Sequence, residues 1–410
     1  MNWTVPFALI LLLCASTASA QTANYSGFLE GRGFLFPQEA PNDSEKLVGD
    51  ALFRNEVVLR PSNWFSFAAG LDLRANSHDQ VEDEWRLDLE DRTLLRPRTA
   101  VRRLAATISS GRFTLDVGKQ FIRWGRADVI YPTDRFAPRD YLNVVDSDFL
   151  PVIAARVSLQ FGSETLEGIW SPQLTPSRLP LLDQRWAPIP PEAAGLPVAD
   201  AGSLIPGGSQ FGVRWRHTGS RFETAVSFFD GYNHHPDIDA RVRPSDGAIE
   251  ILRVHPDIRM VGGDLAVPGS VFTLKAEVAF VVSPPETSDD YVLYVVEIER
   301  QIGEWLLDIG YASEHVRESR APRIFAPDRS MSKSIIGRAA YTVDPRRMVI
   351  FEGAVRQDGD GAYGKFEYSQ GVGQHLRLTL TGVALGGDED DFLGQYQRNS
   401  HGSIALRYSF

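Results

Sequence analysis

The stretch SIALRYSF, residues 403–410, decides the fold class, because a large apolar side chain occupies every second position. One face carries Ile404, Leu406, Tyr408 and Phe410, and the other carries Ser403, Ala405, Arg407 and Ser409. A period of two is typical of a β-strand whose faces meet different environments. We therefore predict a strand at the end of the chain with one apolar face.

The same alternation recurs earlier in the chain. It is clear at residues 65–75, 272–280 and 376–381, where apolar side chains alternate with small, polar or charged ones. Helical periodicity of comparable strength is absent from the sequence. The pattern predicts about 18 strands between residues 24 and 410, an even number of the kind that bacterial barrels use.

Short and long connectors separate the predicted strands. The short ones lie at 61–63, 110–111, 162–164, 218–220, 267–270, 301–303, 344–347 and 372–374, and most contain the Gly, Pro, Asn, Asp or Ser of tight turns. The long ones lie at 77–96, 124–150, 173–208, 232–255, 316–331 and 386–399. Every short turn falls on the same side as residue 410. Membrane barrels show this asymmetry, and a soluble sandwich has no reason to keep it.

The first twenty residues predict export. Residues 5–14 form an apolar run too short to span a bilayer, and the small residues Ala18-Ser19-Ala20 follow it. We expect a signal peptide at 1–20 that is cleaved before Gln21. Since Cys14 is the only cysteine, the mature chain then has no thiol for a disulfide, a metal site or a nucleophile.

Charge and hydrophobicity narrow the class of protein further. A formal net charge of -11 without a basic tract argues against nucleic acid as a partner. Beyond the signal no stretch approaches the roughly 18 apolar residues of a membrane helix, so only a closed barrel could place the chain in a bilayer. We predict an all-β fold in which residues 21–410 form a single transmembrane antiparallel β-barrel. It would have short periplasmic turns and long outer loops, and would lie among the lipids of a Gram-negative outer membrane.

Two stretches resemble known families. GKQFIRWG, residues 118–125, continues as RADVIYPTD and resembles a stretch of porin-like outer-membrane proteins allied to the alginate-export channels. The resemblance implies a barrel of roughly 18 strands that conducts solutes or exports polysaccharide, with this stretch leading into a long loop. Tyr131 stands where that pattern has Asn, and no substrate is implied. The strand ending in Tyr408 and Phe410 resembles the assembly signal of bacterial barrels, which implies the barrel-assembly machinery as a partner.

Charged residues on the inner face of a barrel set its selectivity. The strand phase places an acidic set inside, Glu277, Glu297, Glu299, Glu304 and Asp308, and a basic set, Arg338, Arg356, Arg377 and Arg407. Arg54, Asp72 and Arg74 also fall inside. Opposed walls would create a field across the lumen; the alternative is that each charge is solvated or paired with a neighbour. The inward charges nearly cancel, so we expect no strong overall ion selectivity.

The connector 124–150 is the best candidate for a constriction. Folded inward, it would bring a charged set onto the path of a solute: Arg123, Arg126, Asp128, Asp134, Arg135, Arg139 and Asp140. The alternative is an outer loop in which the arginines and aspartates pair with each other.

Signs of enzymatic chemistry are weak. His234-His235 lacks metal-ligand spacing, the acidic runs at 358–361 and 388–391 match no EF-hand, and no nucleophile elbow or phosphate loop occurs. We expect no catalytic residue, no metal and no cofactor. The sequence favours a porin-like channel for small polar or charged solutes. The alternatives are a specific export or uptake channel for polysaccharide or apolar compounds, and a surface barrel enzyme or adhesin.

Overall fold

The computed structural model describes residues 22–128, 130–188, 197–284, 288–320, 326–327 and 329–410. The predicted signal peptide at 1–20 lies outside these residues. No helix in the described part of the chain is long and apolar enough to cross a membrane.

Eighteen long strands in the described residues pair in sequence order, all antiparallel. They are β1 Thr22–Leu35, β2 Leu47–Ser62, β3 Phe65–Asn76, β4 Thr99–Ser110, β5 Phe113–Gln120, β6 Val152–Phe161, β7 Glu164–Ser171, β8 Gln210–Thr218, β9 Glu223–Tyr232, β10 Asp257–Pro268, β11 Thr273–Val282, β12 Asp290–Ile302, β13 Trp305–Glu318, β14 Ser334–Asp344, β15 Arg347–Arg356, β16 Ala362–Val372, β17 Leu376–Gly386 and β18 His401–Ser409. The strand β18 pairs back onto β1, from Phe28↔Ser409 to Leu35↔Gly402. The predicted all-β, closed barrel of 18 strands is confirmed.

The two faces of each strand meet different surroundings, and β10 shows this most clearly. Its inward side chains, among them Ile258, Met260 and Asp264, are buried. Its outward side chains include Val261 and Leu265, which are 53% and 36% exposed. An apolar face turned outward all round a barrel is what a surrounding lipid phase favours.

The two ends of the barrel differ in their connectors. At one end the described turns are two to four residues long, and Gly111, Gly162, Gly303 and Gly373 supply positive φ angles in four of them. Glycine adopts such angles without a steric penalty. At the other end lie the long loops, including 77–98, 121–151, 172–209 and 233–256. The predicted asymmetry of turns and loops is confirmed.

The hydrophobic core lies inside the barrel, where loops fill part of the lumen. One apolar cluster joins the loop residues Ile122, Trp124 and Phe136 to inward side chains such as Phe229 and Leu293. A second cluster joins Trp186 and Tyr396 to strand residues.

Short elements complete the loops. Val198–Leu204, Asp237–Val242 and Ile249–Val254 form a small three-stranded sheet, and Arg139–Asp140 pairs with Asp148–Phe149. Leu87–Asp88 pairs with β4, and Gly394–Asn399 forms a 3-10 turn.

Candidate functional site: a lumen crossed by the loop 121–151

The chain turns into the lumen at an elbow after β5. Gly118 has a φ of 126°, and a Cβ there would collide with the carbonyl oxygen of Leu104. Only glycine adopts this backbone without strain. Two residues on, the side-chain amide of Gln120 donates to the carbonyl oxygen of Ala154 at 3.0 Å. The segment that resembled porin-like proteins is therefore the bend that sends the loop inward.

Asp134 closes the elbow from the far side of the bend. Its carboxylate accepts hydrogen bonds from the backbone N–H groups of Trp124 and Gly125 and, at 3.3 Å, from Arg123. There is no room for a side chain at Gly125, because a Cβ there would lie 2.8 Å from the Cβ of Tyr131. The indole of Trp124 donates to Glu167 on β7 at 2.6 Å and packs on Phe136.

Glu277, on the inner face of β11, is the main anchor of the loop. One carboxylate oxygen accepts from the backbone N–H groups of Arg126 (2.8 Å) and Ala127 (3.1 Å). The other accepts from the N–H (2.8 Å) and hydroxyl (2.9 Å) of Thr133. Glu277 is only 2% exposed, so the loop covers this carboxylate completely.

Ion pairs fix the loop to the same side of the barrel. Arg126 contacts Asp264 on β10 at 2.6 Å and Glu223 on β9 at 2.7 Å. Asp128 receives Lys275 on β11 at 2.7 Å, and its backbone N–H donates to Glu297 on β12 at 3.0 Å. Asp264 and Glu297 are buried, so their contacts with the loop satisfy charges that would otherwise be costly to bury.

A second ionic cluster holds the loop at its outer end. Asp140 accepts from Arg96 at 2.8 Å and from Arg178 at 2.7 Å, and these arginines belong to two other long loops. Burial alone would raise the pKa of Asp140, but the two guanidinium groups outweigh it and hold the pKa below its ordinary value. Asp140 therefore stays ionised and joins three loops.

The return limb of the loop reaches the opposite wall. Asp146 contacts Arg32 on β1, and Asp148 lies 3.7 Å from Arg54 on β2. Cavities of about 200 and 240 Å³ lie on either side of the Arg32–Asp146 contact. The loop thus spans the lumen from the β9–β12 side to the β1–β2 side, and these two cavities lie along its far edge.

The wall that faces this edge is rich in arginine. Asp72 on β3 accepts from Arg54 at 2.8 Å and Arg74 at 3.0 Å, with Arg102 at 3.9 Å. Glu30 on β1 pairs with Arg407 at 2.7 Å and with Arg32 at 3.2 Å. Five arginines therefore contact Glu30 and Asp72, and Asp50 of β2 lines the same cavity. Across the gap, Asp146 and Asp148 of the loop face this wall.

An aromatic pocket lies where the loop meets β15 and β16. Its cavity is about 200 Å³, and Tyr131, Phe149, Tyr363 and Phe392 are among its lining residues. The guanidinium of Arg139 lies over Phe149 at 4.0 Å and Tyr131 at 4.9 Å and donates to Ser147. Arg123 lies over the same two rings. Among the described residues no carboxylate pairs with Arg139.

The predicted acidic wall needs correction. Glu277 and Glu297 do point inward, but the loop covers them, and Glu299 shares Lys275 with Asp128. Asp308 lies 3.8 Å from Arg338, one of the predicted basic residues. Glu304 is not on a lumenal strand at all; it is exposed in the two-residue turn before Trp305. The period of a strand gives its inward face but does not reveal what covers that face.

The predicted basic wall is also changed. Arg377 and Arg407 do border the open space. Arg356 lies at the end of β15, where its guanidinium pairs with Asp391 at 2.7 Å. This ion pair holds the loop 387–400 against the strand. The opposed charges of the lumen are therefore not the two predicted sets. They are the arginines of β1–β4 and β18 and the loop residues Asp146 and Asp148. Of these, the sequence placed Arg54 and Arg74 on the inner face and Arg407 in the basic wall.

The remaining charged residues of the predicted constriction divide into two roles. Arg126, Asp128, Asp134 and Asp140 make the contacts that hold the loop, and Arg135 is buried and donates to the carbonyl oxygen of Pro132 at 2.7 Å. Arg123 and Arg139 are the two that lie beside the aromatic pocket. Arg32 and Asp146 were missed because their pairing joins positions 114 residues apart.

The other candidates for a chemical site, a histidine and a group of carboxylates, already have protein partners. His234 contacts the hydroxyl of Ser177 at 2.9 Å in the buried loop layer. In the described part of the chain one triad of carboxylates, Asp128, Glu299 and Asp308, lies close enough to share a cation. The ammonium group of Lys275 already contacts two of the three.

The barrel is similar to solved porins. A BenF-like porin from Pseudomonas fluorescens Pf-5 has a TM-score of 0.57 at 11% identity, over 96% of this chain and 98% of that chain. OpdQ of Pseudomonas aeruginosa has a TM-score of 0.55 at 10% identity, over 96% and 99%. OpdK of Pseudomonas aeruginosa, solved with vanillate, has a TM-score of 0.51 at 12% identity, over 94% and 98%.

No protein-family model and no curated protein sequence matches the chain. At these low identities the likeness concerns the fold, and it confirms the resemblance to porin-like barrels at that level. The chain has the 18-stranded barrel fold of the Pseudomonas porins.

Proposed function

We propose that this protein is an outer-membrane channel of a Gram-negative bacterium through which small polar or charged solutes cross. The observation that carries the proposal is the loop 121–151, which crosses the lumen and leaves cavities of about 200 and 240 Å³ between its far edge and the arginines of the opposite wall. A barrel of about this strand number is wide enough for an aqueous path, and an inward loop narrows it.

The charges along the passage favour polar solutes over a single sign of ion. Arg32, Arg54, Arg74, Arg102 and Arg407 face or adjoin Glu30, Asp72, Asp146 and Asp148. The sum is close to neutral, because Glu30 and Asp72 lie among the arginines of the wall and Asp146 and Asp148 face them from the loop. We expect weak overall ion preference together with a strong local field that orients dipolar and anionic solutes.

Small aromatic carboxylates are the solute class that fits the aromatic pocket best. Arg139 offers a guanidinium that no carboxylate of the described residues occupies, and the rings of Tyr131 and Phe149 lie beside it in the lining of the pocket. The similar barrel of OpdK was solved with vanillate, a molecule of this class. In this proposal Arg123 and Arg139 contact the solute, and Arg126, Asp128, Asp134, Arg135 and Asp140 keep the loop in place.

A polysaccharide export channel is the second candidate, because residues 118–125 resemble the alginate-export group. The contact between Arg32 and Asp146 crosses the lumen, however, and a polymer would have to displace it. This makes the small-solute channel the better supported of the two.

Single-channel recording of the refolded protein in a planar bilayer tests the proposal. We expect steady conductance, a reversal potential near zero in a salt gradient, and concentration-dependent block by vanillate. The variant Arg139→Gln should weaken block by about tenfold or more, the loss of one charge-assisted hydrogen bond. Arg112→Gln, which alters an arginine over Phe161 in a turn at the other end, should leave block unchanged.

Two outcomes would overturn the proposal. No conductance from well-folded protein would remove the open channel. Block by a polyuronate fragment, with no effect of vanillate, would favour export of polysaccharide.

A further inference from the structure

The wall of the barrel has a gap where the chain turns inward, and the loop 77–98 fills it. The strand β5 pairs with β4 only from Leu104↔Lys119 to Ser110↔Phe113. Above that level the free edge of β4 pairs instead with Leu87–Asp88, in parallel, through Leu87↔Thr99 and Asp88↔Ala100. A short piece of loop thus takes the place of a strand in the barrel wall.

This piece has the two faces of a wall strand. Asp88 is buried on the inner side, like its partner Ala100. Trp85, Leu87 and Leu89 alternate with it and are 76%, 54% and 46% exposed. Leu87 is the register partner of Thr99 on one side of β4. On the other side the register partner of Thr99 is Leu73, which lies on the outer face of β3. The exposed row therefore continues the apolar outer surface of the barrel.

Contacts on the inner side hold the row in place. The side chain of Asp88 accepts from the backbone N–H of Asp91 at 2.7 Å. Asp91 in turn pairs with Lys119 at 2.7 Å, and Arg178 donates to the carbonyl oxygen of Thr93 at 3.2 Å. The exposed side chains thus belong to a fixed surface, and Arg98 lies over the ring of Trp85.

The height of the row places it at the edge of the bilayer. From Ser110, the last residue of β4, to Thr99, the register partner of Leu87, there are eleven steps, which give about 28 Å along the barrel axis for a rise of about 3.3 Å and a tilt of about 40°. The apolar band of such barrels is about 25 Å tall and is bounded by aromatic girdles. Trp64, 58% exposed, lies at the turn end of the same wall.

We propose that Trp85, Leu87 and Leu89 form a lipid-contact surface that binds the boundary between acyl chains and headgroups in the outer leaflet. This inference rests on the proposed placement in a membrane. Lipid is the occupant because the row is continuous with the outer face of the barrel, and because an indole ring at that height suits an interface that is apolar on one side and wet on the other.

Quenching of tryptophan fluorescence by brominated lipids tests the proposal. The difference between the emission of the refolded full barrel and its Trp85→Phe variant isolates Trp85, and Trp64→Phe isolates the opposite girdle. We expect lipids brominated near the headgroup to quench Trp85 at least twofold more than lipids brominated near the chain end. Leu87→Ser with Leu89→Ser should reduce that quenching, and the barrel should remain folded.

The Trp64→Phe control separates the lipid-contact surface from the placement of the barrel in a membrane. If Trp64 is quenched and Trp85 is not, the lipid-contact surface is wrong and the membrane barrel stands. If neither is quenched, both are wrong. Protection of Trp85 that rises with protein concentration would assign the surface to a second copy and would also overturn the proposal.

Discussion

Gly118 shows how one residue directs the path of thirty others. Its φ of 126° bends β5 out of the wall, and the carbonyl oxygen of Leu104 occupies the space where a Cβ would lie. The motif that contains Gly118 can be recognised from the order of its residues alone. Its physical meaning cannot, because an alternating pattern does not reveal a φ angle.

The first prediction concerns this elbow. Gly118→Ala should destabilise the folded barrel by about 2 kcal/mol or more, since a side chain must adopt a strained backbone and displace a carbonyl group. Urea unfolding in lipid vesicles measures the change. Gly168→Ala, at a strand glycine with open space around it, is the matched control and should change stability by less than about 0.5 kcal/mol. Equal effects of both variants would contradict the role of the elbow.

The second prediction at the residue scale concerns pH. Burial lowers the pKa of His255 to about 4, and its ring contacts the carbonyl oxygen of Asn233 at 2.8 Å. Above pH 6.5 the imidazole is neutral whether the loop 233–256 is packed or open, so it contributes nothing. As the pH falls from 6.5 to about 4, the open loop takes up a proton first. The packed loop then loses up to about 3 kcal/mol.

Hydrogen exchange, corrected for the intrinsic effect of pH, measures this loss. Protection in the loop 233–256 should fall between pH 6.5 and pH 4 in the native protein and fall less in His255→Gln. Identical pH profiles would show that His255 does not control the packing of this loop.

At the scale of elements, the strands were predictable and the loop was only partly so. Alternation predicts which residues of β10–β13 point inward, because the side-chain period of a strand is fixed. It does not predict that backbone N–H groups of a loop would occupy Glu277 and Glu297. The sequence therefore suggested an acidic wall that faces water, whereas these carboxylates lie under the loop.

The anchoring of the loop gives the third prediction. Glu277→Gln replaces a carboxylate that accepts four hydrogen bonds with an amide whose NH₂ group would face two of the donors. We expect a loss of about 2–4 kcal/mol in the docking of the loop, because hydrogen bonds to a buried charge are strong and unpaired donors are costly. Amide exchange at Arg126, Ala127 and Thr133 should become at least tenfold faster, and open-channel current noise should rise.

Glu367→Gln is the matched control for this variant. Glu367 points into the 240 Å³ cavity and borders the passage without holding the loop. It should leave amide exchange in the loop unchanged. If Glu277→Gln behaves in the same way as Glu367→Gln, the loop does not depend on its buried anchor.

At the scale of the whole molecule, the sequence predicts that the barrel closes. It does not predict that a loop divides the lumen of the barrel. Local sequence patterns predict the number of strands, the side on which the short turns lie and the outward apolar face. The contact between Arg32 and Asp146 joins the first strand to a loop 114 residues later, and no local pattern encodes such a pairing. The opposed charges of the passage therefore emerge only once the barrel is closed and the loop has crossed it.

Chemical cross-linking between the loop 121–151 and the far wall measures whether the loop crosses the lumen. The mature chain is expected to have no cysteine, so Arg32→Cys with Asp146→Cys supplies a single pair for a short bifunctional thiol reagent. Arg32→Cys with Asp246→Cys, in an exposed turn of the loop 233–256, is the control. We predict a cross-linked peptide between residues 32 and 146 in the refolded barrel, absent from the control pair, with conductance retained. Failure of the 32–146 pair to cross-link in a folded, conducting barrel would show that the loop does not cross the lumen.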